Sequence, residues 1–88
     1  MTTKAPPGVQ EFSGDTLEKI AYESVRSIPT QEPNDRNRLG YHIWRWLTAK
    51  QGTLEETIAE SGARLLVSGA DAAKTIRESL ASHSIAVG

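Results

Sequence analysis

Within "RNRLGYHIWRWLTAK", residues 36–50, four side chains able to do chemistry recur at helical spacing. Arg38, Tyr41, His42 and Arg45 stand at i, i+3, i+4 and i+7, and on a helix such positions share one stripe. Guanidinium groups beside a phenol and an imidazole suit a phosphate, a cluster of carboxylates or a stacked base, because the planar, permanently charged fork matches paired oxygens. The segment holds four cations (Arg36, Arg38, Arg45, Lys50) and no acid. A plainer reading is a solvated basic face loosely paired with glutamates of neighbouring helices, since exposed ion pairs contribute little.

Two tryptophans complete the segment. At about 100° per residue, Trp44 and Trp46 stand about 160° apart, and Leu39, Ile43, Leu47 and Gly40 fill the arc between them. A face this broad predicts a central helix touching two neighbours, with Trp46 in the core. Gly40, one turn before Trp44, offers a notch for close approach of another element. That core reading accounts for both tryptophans; in a sharper alternative Trp44 is only half covered and serves as an interface anchor, a role in which Trp is enriched. The candidate partner-binding set is Arg38, Tyr41, His42, Trp44 and Arg45.

Other chemistries find less support. The chain has no cysteine, which excludes disulfides and thiolate metal sites. His42 and His83 belong to no metal-binding pair, and no serine, threonine or lysine sits in a nucleophile elbow. "DRNRLG" begins like a calcium loop, with Asp35, Asn37 and Gly40 at the first, third and sixth places, but Trp46 occupies the twelfth, where a glutamate is required. No glycine-rich loop cradles phosphates. The expectation is a non-catalytic protein with no cofactor and no metal.

A second functional reading lies in residues 53–82. "TIAESGARLL" and "VSGADAAKTIRESL" follow the rhythm of a helix-turn-helix, the second helix offering Lys74, Thr75 and Arg77 to nucleic acid. Gly62 follows Ala59 by three residues where the motif wants four, and Asp71 and Glu78 dilute the charge. Ten Lys and Arg against eleven Asp and Glu, net charge −1, also count against a dedicated nucleic-acid binder. The primary expectation is therefore an interaction module that docks on an acidic protein surface or on a second copy of itself.

These residues need elements to hold them. Eighty-eight residues make one domain, which at this size buries only roughly 60% of its unfolded surface. "MTTKAPPGVQEFSG" has no apolar run, and no window spans a bilayer, so a cytoplasmic protein that avoids membranes is expected. Residues 1–14 read as a flexible arm, 15–85 as a single helical domain and 86–88 as a tail within the closing "SIAVG". Asp15 and Glu18 have capping-box spacing, and Leu17, Ile20, Ala21, Ser24, Val25 and Ile28 share a face. A second helix starts near Asn34 or Asp35 and runs to about Lys50, with Gly52 closing it. Thr53 and Glu56 open a third, whose apolar face would hold Leu54, Ile58, Leu65 and Leu66, with Gly62 a weak point. Ser68 and Asp71 open a fourth around Ala73, Ile76 and Leu80. The predicted fold class is all-α, a compact bundle of about four short helices.

Overall fold

The computed structural model describes residues 12–48 and 52–85. Among them are four α-helices: α1 (Gly14–Ser24), α2 (Pro33–Thr48), α3 (Leu54–Ser61) and α4 (Gly69–Ser82). The chain is all-α, as its periodicity predicts, and the only β pairing among the described residues is an isolated bridge between Thr30 and Leu65. Residues 1–11 of the expected arm, Lys50 at the expected end of the second helix and the tail 86–88 lie outside the described residues.

Helix starts follow local chemistry, with two shifts from expectation. Ser13, not Asp15, caps α1, its Oγ accepting the Thr16 amide at 3.2 Å. Phe12 packs against the core. Phe12 and Leu17 then hold the N′ and N4 places of a hydrophobic staple. In α2, Pro33 takes the first helical place, where its missing N–H costs nothing. Asp35 is two residues further in and reaches back to the Glu32 amide at 3.1 Å, so it acts from inside the first turn and not as the cap itself. The Thr53–Glu56 capping box forms in both directions, at 3.1 and 2.8 Å, and Ser68 caps α4 through the Asp71 amide at 3.1 Å.

The third helix is shorter than predicted. Gly62 takes the left-handed conformation (φ +69°) as its C-terminal residue, and a backbone turned that way ends an α-helix. Leu65 and Leu66 therefore leave the expected apolar face: Leu65 joins the bridge to Thr30, and Leu66 is 61% exposed. At the end of α4, Ser84 adopts φ +64°. The Ile85 amide reaches the Leu80 carbonyl and the Ser84 amide that of Ala81, at 3.0 and 2.9 Å. That paired closure draws Ile85 into the core.

The helices pack as a ring in which α2 lies against α1 and α3, and α4 against the same two. The second helix does touch two neighbours, but so does every other helix, so it is not central in that sense. It supplies Leu39, Ile43, Trp46 and Leu47 to the core, which they share with Leu17, Ile20 and Ala21 of α1, Leu54 and Ile58 of α3, and Ala73, Ile76 and Leu80 of α4. The buried hydroxyls of Ser24, Thr57 and Ser61 donate to carbonyls three or four residues back, at 2.6–3.0 Å, so none is left without a partner.

The Gly40 notch is filled by Tyr22 of α1. A Cβ built on Gly40 would lie 2.5 Å from Tyr22 Cδ1 and 2.8 Å from Cε1, far inside van der Waals contact. Gly40→Ala gains up to about 1 kcal/mol of helix propensity but meets an overpacking cost of about 1–3 kcal/mol. We expect a net loss of about 1–2 kcal/mol in urea unfolding. In a Tyr22→Ala background the same change should become neutral or stabilising; a loss that persists there would show that the ring is not the obstacle.

Candidate partner-binding surface on helix α2

The predicted stripe divides into two parts. Its first member, Arg38, is engaged within the chain. Asp35, one turn earlier and 0% exposed, receives Arg38 Nη1 at 3.3 Å on Oδ1. Arg64, from the loop between α3 and α4, approaches the same carboxylate with Nε at 3.3 Å from Oδ1 and Nη2 at 3.2 Å from Oδ2. Burial pushes the Asp35 carboxyl up, but hydrogen bonds from Arg64, its charge and the Glu32 amide outweigh this and hold it below the usual carboxylate range. Around this clasp the two loops pair: Gln31 N–H reaches Arg64 O at 3.0 Å, and Leu66 N–H reaches Pro29 O at 2.9 Å. Sequence reasoning missed Asp35, taking it for a cap. The signal was there, an acid two residues after Pro33 with an arginine one turn on.

The rest of the stripe forms one cluster. Tyr41 is 43% exposed, one of two large hydrophobic side chains so open among the described residues. Its ring meets Trp44 at 5.9 Å between centroids and His42 edge-on at 5.8 Å. Arg45 Cζ lies 5.9 Å from the Tyr41 centroid, within cation–π range. No carboxylate among the described residues pairs with Arg45. Trp44 is half-buried against the core, while its indole Nε1 is covered and finds no acceptor. Such an orphan donor typically costs about 1–3 kcal/mol. Trp46, at the other margin of the face, is buried, and its Nε1 donates to Gly52 O at 2.9 Å.

The alternative set on α4 is assembled less well. Lys74 is exposed and Thr75 half-buried, but Arg77 is held by Glu55 of α3 at 2.8 Å. The hydrogen bond from Arg77 lowers the Glu55 carboxyl from its usual value. The connection from α3 to α4 runs from Gly62 to Ser68, longer than the turn of three or four residues in a helix-turn-helix. Among the described residues no group of three or more His, Cys, Asp or Glu could hold a metal ion, and no helix is long and apolar enough to cross a membrane.

Fold and surface together define a small four-helix all-α domain carrying an exposed aromatic and basic cluster on its second helix. No protein-family model, no curated protein and no solved structure matches the chain.

Proposed function

We propose that this protein is a non-catalytic interaction module that docks through the exposed side of α2 on an acidic surface of a protein partner, a second copy of the chain being a special case. The observation that carries the reading is the Tyr41–Trp44–Arg45 cluster: the Tyr41 ring meets both the Trp44 ring and the Arg45 guanidinium, and no carboxylate among the described residues pairs with Arg45. Tyr, Trp and Arg are the side chains that interfaces favour. A carboxylate from a partner would complete Arg45, and the indole N–H of Trp44 would gain an acceptor if its ring turned outward. Arg38 plays a supporting part, since Asp35 fixes its position.

The test compares capture of partner from lysate of the protein's own source, after nuclease treatment, by wild type and by Tyr41→Ala/Arg45→Glu. Both positions are exposed, so the variant should melt like wild type. Two interface anchors of this kind carry enough energy that its partner binding should fall at least tenfold. Arg38→Glu is the wrong probe, because it would set a second carboxylate against buried Asp35. Full retention of the partner by the double variant would place the interface elsewhere. Recovery of nucleic acid alone, lost on Lys74→Glu and falling steeply with salt, would favour the α4 reading.

A further inference from the structure

A second surface, separate from the α2 cluster, has the features of a recognition groove. It measures about 630 Å³ and runs between α1, the first turn of α2 and His83 at the end of α4, within the range of pockets that seat ligand groups. Ile20 and Val25 form its floor, and Phe12 and Tyr22 give it aromatic walls. Lys19, Arg26 and Arg36 contribute three cations. The one acid among the described lining residues, Glu23, already faces Arg26 at 3.7 Å and His83 at 3.9 Å.

Arg36 is the informative member. It is half-buried, and its Nε donates to the Ile28 carbonyl at 3.0 Å, which fixes the guanidinium plane. No carboxylate among the described residues pairs with it, so the end-on fork formed by its two Nη groups remains available. A guanidinium held in place by a backbone carbonyl, with no carboxylate partner among the described residues, is prepared for a planar, two-oxygen acceptor. The apolar walls beside that fork suit a carboxylate with a bulky apolar neighbour.

We propose that this groove binds an acidic segment of a partner protein, with one carboxylate side chain on Arg36 and an adjacent apolar side chain on the floor formed by Ile20 and Val25. Lys19 and Arg26 lie on the rim and favour further acidic residues in the same segment.

Selection from a library of random peptides displayed against the full chain tests it. The enriched sequences should place Asp or Glu beside Leu, Ile or Phe. Synthetic peptides of that consensus should bind Arg36→Gln roughly ten- to a hundredfold more weakly, the worth of a charge-assisted pair. Arg36→Lys should also be weakened, because an ammonium cannot fork. Arg36→Gln gives up the bond to Ile28 as well, so Lys19→Gln/Arg26→Gln provides a variant that leaves the fold alone; it should bind several-fold more weakly, with less dependence on salt. Tyr41→Ala/Arg45→Glu should bind these peptides like wild type, which separates this site from the α2 surface. No enrichment, a consensus without acids, or undiminished binding by Arg36→Gln overturns the proposal. So does enrichment that appears only after deletion of residues 1–11, because the occupant would then be the chain itself.

Discussion

Trp46→Ala is expected to lose about 3–5 kcal/mol in equilibrium unfolding, the range for emptying a large buried aromatic site. Trp46 is 6% exposed and shares the core with residues of all four helices. A domain of this size commands only about 5–15 kcal/mol in total, so the variant should lie close to unfolding at physiological temperature. Trp46→Phe separates the two roles of the side chain. It keeps most of the apolar bulk but gives up the hydrogen bond from Nε1 to Gly52 O, and should lose about 1–2 kcal/mol. Melting of Trp46→Ala near the wild-type temperature would contradict the placement of α2 in the core.

Replacing Asp35 should loosen the two loops it joins before it unfolds the helices. Asp35→Ala leaves Arg64 and Arg38 without their carboxylate and the Glu32 amide without its acceptor. Amide exchange at Gln31 and Leu66, whose N–H groups bridge the loops, should accelerate on the order of ten- to a hundredfold, the equivalent of losing one or two charge-assisted hydrogen bonds. Acid should reproduce part of the effect. The native state holds the Asp35 carboxyl below its usual range, so its contribution is fully present above the unfolded-state value and is lost as pH falls through the native one. Glu55 titrates in the same direction, and comparison with Asp35→Asn isolates Asp35. The stability difference between wild type and Asp35→Asn should shrink as pH drops below the ordinary carboxylate range. A difference that stays constant, or unchanged exchange at Leu66 in Asp35→Ala, would show that the clasp does not hold the loops.

Most of the fold was legible because it rests on periodicity and local capping. Leu17, Ile20 and Ala21 face the core from α1 as their spacing predicts, while Val25 and Ile28 are buried in the turn beyond its end, and Thr53 with Glu56 forms the reciprocal box that its spacing announces. The misplaced parts depend on backbone handedness or on long-range pairing. Gly62 inside an apolar pattern is compatible with a costly mid-helix glycine or with a left-handed stop, and only the pairing of Leu65 with Thr30 selects the stop. Ser84 gives no sign that it will turn left-handed and carry Ile85 inward. The candidate surface was half legible. Helical spacing places Tyr41, His42, Trp44 and Arg45 together. It could not reveal that Arg38 is drawn away by Asp35, because the partner that completes that clasp, Arg64, lies on another loop. The groove around Arg36 escaped notice for the same reason: Arg36 sits on the apolar arc of its helix, and its role depends on the Ile28 carbonyl and on side chains of α1.

If the exposed side of α2 is the docking surface, hydroxyl-radical footprinting will detect it, since radicals oxidise aromatic side chains in proportion to their exposure. The full chain is labelled free and in complex with its captured partner after nuclease treatment, with exposed Leu66 as the internal reference. Tyr41 should become strongly protected in the complex, and Trp44 with it, while the reactivity of Leu66 is unchanged. Equal oxidation of Tyr41 in the free and bound chain, with protection confined to α4, would contradict it.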